Sequence, residues 1–158
     1  MISFLEKEQF SVLAPEIFAI LDGNMRVILS KRLSFAEEYR LWYEAVSEGL
    51  HSSPRQMILV RNQEGRLLGF VQYYANDRVL MLEEVQILPE YQKKVNFLPS
   101  LWRFLLMHLQ VTPCFIEAFV HPQNTYCIAL QEKLGMECVK HGEYHHYRGA
   151  FSPSIRRK

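Results

Sequence analysis

Residues 82–92 read Leu-Glu-Glu-Val-Gln-Ile-Leu-Pro-Glu-Tyr-Gln, and this stretch decides the predicted fold. The apolar run from Val79 to Leu88 favours a strand, and Pro89 ends it because proline has no N–H for a strand ladder. Glu83 and Glu84 interrupt the run. Burying an unpartnered carboxylate in a central strand is costly, so the pair is a candidate for function; the alternative is carboxylates solvated at a strand edge.

Two further strand-like runs precede this stretch, Met57–Arg61 and Leu67–Tyr74, and a loop of hairpin length joins them. A short polar break separates the second run from Val79. The three strands should therefore form an antiparallel meander. After it, the pattern predicts a helix over 98–109, a strand over 114–120, a helix over 123–134 and a hairpin over 136–147. The helical crossover makes the strands over 79–88 and 114–120 parallel neighbours.

The first third of the chain predicts two helices. Ser11–Leu21 has apolar residues near every third or fourth position, and no assignment is made for Gly23–Ser30. Ser34 and Glu37 have the spacing of a capping box, and Gly49 is the expected stop of the helix that they begin.

Composition indicates one ordinary domain. The chain has 158 residues, 49% of them hydrophobic, and we expect a single domain over 1–150 followed by a basic tail over 151–158. The 18 basic and 17 acidic side chains nearly cancel, so no nucleic-acid partner is expected. Glu6, Lys7 and Glu8 stand where a signal peptide would be apolar, and no apolar run has the length of a membrane span. We therefore expect a cytoplasmic protein without a membrane partner.

The cysteines and histidines do not predict a metal site. Cys114, Cys127 and Cys138 are odd in number and lack paired spacing, which favours buried reduced thiols. In one strand His141 and His145 would lie ~13 Å apart, which is too far to hold one ion. No metal ligand is therefore assigned.

Two stretches resemble the signatures of the GCN5-related N-acetyltransferase (GNAT) family. Residues 82–92 resemble its fourth strand and the turn that follows. Residues 124–136 resemble the helix that an asparagine opens and a Lys-x-Gly-Phe sequence ends, here Asn124 and Lys133 to Met136. The resemblance implies an α/β (α+β) fold with a mixed, largely antiparallel central sheet, a parallel strand pair that splays apart, and helices on both faces.

The same resemblance implies an N-acetyltransferase with acetyl-CoA as co-substrate. The acetyl group would pass to a primary amine of a small molecule or peptide by direct attack in a ternary complex, and a homodimer is a family expectation. Glu83 and Glu84 would be the catalytic residues that handle the amine, with Glu84 slightly favoured. The residues implied for cofactor binding are Val85, Gln86 and Ile87 along the strand, Gln92, Lys93, Lys94, Val95, Asn96 and Phe97 in the pyrophosphate loop, and Asn124 and Gln131 in the following helix.

The loop and the last helix depart from the family pattern. Val95 replaces the first loop glycine, Phe97 replaces a small residue, and Gln131 replaces the tyrosine that acts as general acid. An amide can hydrogen-bond to a departing thiolate but cannot protonate it. Two other hypotheses therefore stay open: a catalytically silent GNAT-fold binding or regulatory protein, and an enzyme for a different acyl chain.

Three tyrosines have more than one interpretation. Tyr126 is either a substitute for the missing acid or a packing residue, because it projects from another part of the predicted helix. Tyr144 and Tyr147 either line the acceptor end of the cleft, form an intersubunit contact, or pack in the core.

Overall fold

The computed structural model describes residues 1–29, 32–93 and 98–152. Their strands are β1 (Ile2–Phe4), β2 (Gln56–Arg61), β3 (Leu67–Ala75), β4 (Val79–Ile87), β5 (Phe115–Val120), β6 (Glu137–Lys140) and β7 (His145–Ala150). Their α-helices are α1 (Phe10–Arg26), α2 (Phe35–Ser52), α3 (Leu98–His108) and α4 (Thr125–Lys133). The strands form one sheet in the order β1-β2-β3-β4-β5-β7-β6, antiparallel throughout except for β4 and β5. The predicted mixed sheet is confirmed.

Helices cover both faces of the sheet. α1 and α2 pack on one face, where Met57 and Leu59 of β2 point, and α3 and α4 pack on the other, where Ile58 and Val60 point. Because β2 is covered on both faces, its apolar residues are consecutive instead of alternating. Each large apolar side chain buried in this way stabilises the fold by ~1.5–3 kcal/mol. The predicted layering is confirmed.

β4 and β5 separate part-way along their length. Their parallel pairing runs from Val79 opposite Phe115 to Leu82 opposite Ala118. β4 then continues to Ile87 beyond the last residue that pairs with β5. The predicted splayed pair is confirmed, and the separation leaves the outer edge of β4 facing a gap.

A β-bulge in β4 lies where the two strands separate. Gln72 of β3 is opposite Glu84, whereas the next residue, Tyr73, is opposite Leu82, so Glu83 is an extra residue in β4. Nε2 of Gln72 also donates a hydrogen bond to the Glu83 carboxylate at 2.9 Å. Adjacent residues of a regular strand point to opposite faces. The bulge instead turns both glutamates toward the face that carries Gln72.

The two N-terminal helices extend beyond their predicted ends. α1 runs to Arg26, through part of the segment that had no assignment. α2 begins at the Ser34 cap, where the predicted capping box with Glu37 is present. It continues past Gly49, so the prediction that this glycine ends the helix is wrong. A Cβ at Gly49 would lie 1.8 Å from Nη1 of Arg55, which shows that the glycine makes room for a neighbouring side chain.

Two predictions about cysteine and histidine are wrong. Cys114 is exposed although it was expected to be buried, whereas Cys127 is buried. The rings of His141 and His145 lie 4.6 Å apart between centroids, not ~13 Å. The longer distance assumed one strand, but a turn between β6 and β7 reverses the chain between the two histidines.

Part of the predicted organisation lies outside the described residues. This applies to Lys94, Val95, Asn96 and Phe97 of the predicted pyrophosphate loop and to residues 153–158 of the predicted basic tail. Within residues 1–29, 32–93 and 98–152, no helix combines the length and apolar character needed to cross a membrane.

Candidate active site

A cleft opens where β4 and β5 separate. It encloses about 500 Å³, counting the part that is open to solvent. β4, β5, α4, α1 and the turn before β7 all contribute to its lining. The predicted site residues that line it are Glu83, Glu84, Val85, Gln86, Asn124 and Gln131.

Glu84 carries a carboxyl that is less acidic than usual. Its pKa is raised to about 7, chiefly by desolvation. A hydrogen bond from Nε2 of Gln86 to Oε2 at 2.8 Å acts in the opposite direction, and the negative charge of Glu83 adds to the rise. A carboxyl that titrates near neutral pH can take up and release a proton during turnover, which is what a general base requires.

A chain of hydrogen bonds from α1 orients Glu84. Nδ2 of Asn24 donates to Oε1 of Gln86 at 2.9 Å, and the Gln86 amide donates in turn to Glu84. Gln86 is buried, so these two bonds hold its amide in one orientation. Sequence reasoning missed Asn24 because no structure was assigned there. Its spacing of four residues from the buried Ile20 was the signal that it lies on the inner face of α1.

Glu83 is held in an ion pair. Arg55 donates from Nε to Oε2 at 2.6 Å and from Nη2 to Oε1 at 2.8 Å. Bidentate pairs of this kind are among the strongest charge-assisted hydrogen bonds. The Gln72 amide adds a third bond to the same carboxylate. With its oxygens engaged in this way, Glu83 is a weaker candidate for the base than Glu84.

The close contact between Gly49 and Arg55 predicts that Gly49→Ala lowers the stability of the protein. A methyl group at Gly49 would meet Nη1 and Cζ of Arg55 at 1.8 and 2.6 Å, so Gly49→Ala should displace the guanidinium from Glu83. We expect the free energy of unfolding, measured in urea, to fall by ~1 kcal/mol. This loss would occur although alanine favours a helix interior over glycine by ~1 kcal/mol.

The matched control for Gly49→Ala is Gly23→Ala in α1. No atom lies within 4 Å of a Cβ built at Gly23, so the helix preference of alanine should act alone there and raise stability. If both substitutions stabilised the protein equally, the view that the close contact with Arg55 excludes a side chain at position 49 would be wrong.

The outer edge of β4 offers two carbonyl groups to the gap. The Ile87 carbonyl accepts bonds from Nδ2 of Asn24 and Nε2 of Gln92, both at 3.0 Å. The Val85 carbonyl is contacted by the Cys127 thiol at 3.6 Å, and a thiol is a weak donor. The Val85 carbonyl is therefore the more available acceptor for a ligand.

α4 brings Asn124 and Gln131 to the cleft. Oδ1 of Asn124 caps the helix by accepting from the Cys127 N–H at 3.2 Å. Gln131 is 2% exposed, and its Oε1 has no hydrogen-bond partner among the residues described here. A buried carbonyl oxygen without a partner is costly, so this position suits a ligand that donates a hydrogen bond.

The fold as a whole has solved counterparts. By sequence, the chain matches no protein-family model and no curated protein. By structure, it is similar to PaiA N-acetyltransferase from Thermoplasma acidophilum in complex with coenzyme A, with a TM-score of 0.69 and 16% identity over 96% of this chain and 98% of that one. It is also similar to an acetyltransferase from Streptococcus agalactiae (TM-score 0.74, 12% identity, 96% and 98% covered) and to an aminoglycoside 6′-acetyltransferase type Ii (TM-score 0.67, 15% identity, 97% and 98% covered).

The chain has the GNAT acetyltransferase fold. The likeness extends over nearly the whole length of both chains in each comparison. A shared fold does not carry a function with it, so the roles of residues in this GNAT fold rest on their own contacts.

Tyr144 and His121 line the cleft of this GNAT fold as well, and their rings meet edge to face at 5.6 Å between centroids. The pKa of Tyr144 is raised, first by desolvation and then by the charges of Glu143 and Glu84, so its hydroxyl stays protonated. Of the interpretations left open for Tyr144, the structure favours the cleft. His121 was not predicted to line the cleft, although its place after the carboxyl end of β5 was a signal, since open α/β sheets bind ligands there.

Other predicted residues lie away from the cleft lining. The side chain of Ile87 is buried in the core, and Lys93 is exposed. Gln92 reaches β4 through its bond to the Ile87 carbonyl. Tyr147 is buried in the core between the sheet and α3 and α4, and Tyr126 packs against the same core. Both tyrosines therefore act in packing.

Proposed function

We propose that the protein is an N-acetyltransferase that moves an acetyl group from acetyl-CoA to a primary amine of a small molecule or peptide. One observation carries the proposal: the Glu84 carboxyl, with its pKa raised to about 7, lies in the cleft between the separating strands. The likeness to a solved N-acetyltransferase in complex with coenzyme A and to an aminoglycoside acetyltransferase supports it.

The cleft has acceptors that fit the amide groups of acetyl-CoA. The Val85 carbonyl at the free edge of β4 and Oε1 of Gln131 can each accept an N–H bond from the pantetheine arm. Backbone groups of Ile87, on the same edge of β4 as Val85, would complete this side together with Asn124. The pyrophosphate would meet the loop over 92–97 at the start of α3, where helix N–H groups lack intrahelical partners.

The chemistry requires the amine to lose a proton before it attacks. A primary ammonium has a pKa near ~10, so it is charged at neutral pH. Glu84 would accept its proton directly or through a water molecule, and the free amine would attack the thioester carbonyl that acetyl-CoA supplies. Tyr144 and the Gln131 amide can donate hydrogen bonds near the departing thiolate. The nearby charge of Glu84 favours a cationic acceptor.

The buried Cys127 thiol distinguishes direct attack from transfer through an acyl-cysteine. Desolvation is the main reason that the pKa of Cys127 is raised to about 12, so the thiol is not a nucleophile at neutral pH. Cys127→Ser should therefore keep kcat within about threefold of the wild type, as expected when no covalent step is lost. Thiol release measured with excess amine checks this. A loss of activity comparable to that of Glu84→Gln would point to an acyl-cysteine intermediate.

Calorimetric titration with acetyl-CoA and with CoA is the first test of the proposal. Binding of both ligands, followed by amine-dependent thiol release across a panel of polyamines, aminoglycosides and peptides, is the expected result. No heat and no thermal shift at millimolar ligand would refute the proposal that the protein is an acetyl-CoA-dependent enzyme.

Exchanging Val95 and Phe97 for glycine should tighten cofactor binding if those side chains hinder it. Weaker binding would contradict the view that they obstruct the cofactor.

A catalytically silent protein is the second candidate, and Gln131 is the observation that favours it. The Gln131 amide cannot donate a proton to the departing thiolate as a tyrosine would. The Ile87 carbonyl already accepts hydrogen bonds from Asn24 and Gln92, so it is less available to a cofactor. This candidate predicts that CoA binds without any amine-dependent thiol release. Both candidates predict a positive CoA titration, so the amine-dependent thiol-release assay is the readout that separates them.

A further inference from the structure

The β6–β7 hairpin gathers three metal-ligating side chains that the transferase site does not use. Cys138, His141 and His145 each offer one ligand atom, and these atoms all lie within 4.8 Å of one another. Sγ of Cys138 is 3.8 Å from Nδ1 of His141, and the two imidazole rings are 4.6 Å apart between centroids. His141 is exposed and the other two are partly buried, so solvent reaches the cluster.

A register shift in the hairpin brings the three side chains to one face. Cys138 is opposite Tyr147, but Lys140 is opposite His146, so Val139 is an extra residue in β6. Continuing this pairing by one residue sets His141 opposite His145, where cross-strand side chains are close. Without the bulge, Cys138 and His141 would point to opposite faces, since they are three residues apart.

We infer that Cys138, His141 and His145 bind a divalent transition metal, with zinc the best match to one thiolate and two imidazoles. Zinc takes sulfur at ~2.3 Å and nitrogen at ~2.0–2.1 Å in a tetrahedron, a geometry that small side-chain rotations would reach from the observed separations. Cys138 would release its thiol proton to solvent on binding, and a water molecule would take the fourth position. The metal would then connect the two ends of the turn between β6 and β7, through Cys138 and His141 before it and His145 after it.

A metal bound at this hairpin would also affect the cleft. Tyr144 lies in the turn between β6 and β7 and lines the cleft, so a bound ion would restrict the motion of this side chain. The metal itself lies outside the cleft lining, because none of its three ligands contributes to that lining. Metal binding can therefore be tested without any transferase activity.

The test uses untagged protein stripped with a chelator and titrated with zinc chloride, with metal content measured after desalting. One equivalent of zinc and a rise in melting temperature are expected, because a ligand that binds only the folded state stabilises it. Cobalt in place of zinc should give a thiolate-to-metal charge-transfer band in the near ultraviolet. Cys138→Ser, His141→Ala and His145→Ala should each abolish the stoichiometric site, and Cys138→Ser should abolish the band.

Two matched controls keep the result specific. His146→Ala removes the neighbouring histidine, which stacks on Phe119, and should retain one equivalent of zinc. Cys114→Ser removes an exposed thiol outside the cluster and should retain it as well. In the wild-type chain, zinc should slow alkylation of Cys138 but not of Cys114, a readout that needs no variant. Wild-type protein that binds no zinc, zinc binding that survives loss of all three ligands, or unprotected Cys138 would overturn the inference.

Discussion

Replacing Glu84 by glutamine should lower kcat/KM for amine acetylation by ~10²–10⁴-fold, the usual contribution of a positioned general base. The substitution removes the group that takes the proton of the ammonium and keeps the size of the side chain. Its amide oxygen can still accept the bond that Gln86 donates to Glu84 at 2.8 Å. Affinity for CoA, measured by calorimetry, should therefore stay unchanged while the thiol-release rate falls.

The pH profile of the rate gives an independent readout of this substitution. In the wild-type protein kcat/KM should rise with pH through about 7, where Glu84 loses its proton. Glu84→Gln should lack this rise. Glu90→Gln is the matched control, because Glu90 is 46% exposed and paired with Arg66 at the surface, and it should keep the wild-type profile. A Glu84→Gln protein with the wild-type rate and profile would remove this carboxylate from the mechanism.

The raised pKa of Glu84 also has a consequence for stability. Its folded-state pKa of about 7 lies above the ordinary value of 4.5, so the folded chain holds this proton more tightly than the unfolded chain does. The stability gained in this way is fully present below 4.5 and is lost as pH rises through about 7. Urea denaturation should accordingly show that Glu84→Gln loses less stability than the wild type between these two pH values.

Replacing Arg55 by methionine should lower the free energy of unfolding by ~2 kcal/mol, since it leaves the Glu83 carboxylate partly buried without its cation. Removing one partner of a fully buried pair costs ~3–5 kcal/mol. The side chains of Arg55 and Glu83 are 23% and 20% exposed, which reduces the cost here. Adding Glu83→Gln to Arg55→Met removes the isolated charge and should restore most of the loss. Urea denaturation of the single and double variants measures the coupling.

Arg66→Met is the matched control for the loss of Arg55. Arg66 and Glu90 also form an ion pair, at 3.1 Å, but their side chains are 55% and 46% exposed. Solvent screens such a pair, so this substitution should cost less than ~1 kcal/mol. Equal losses at the two arginines, or no recovery in the double variant, would contradict the view that Arg55 compensates a desolvated Glu83.

The β2-β3-β4 meander and the parallel pairing of β4 with β5 were predictable because each has a local signal. Gly65 lies in the loop between β2 and β3 and Gly135 follows the end of α4, and their φ angles of 83° and 80° lie in the region that glycine favours. The parallel pairing of β4 with β5 followed from the helix that connects them. Gly49 is also a glycine, but it does not end its helix. It leaves room for the side chain of Arg55, which lies outside α2, so the local sequence could not indicate its role.

Periodicity, turn residues and two family-like stretches were enough to derive the layers of this protein, its one parallel strand pair and the stretch that carries its two glutamates. They could not show that Glu83 pairs with Arg55, 28 residues away, or that Gln86 is held by Asn24, 62 residues away. Nor could they show the single-residue bulges at Glu83 and Val139, which turn side chains to a new face. Local sequence encodes backbone preference and alternation, whereas these contacts exist only once distant segments have packed against one another.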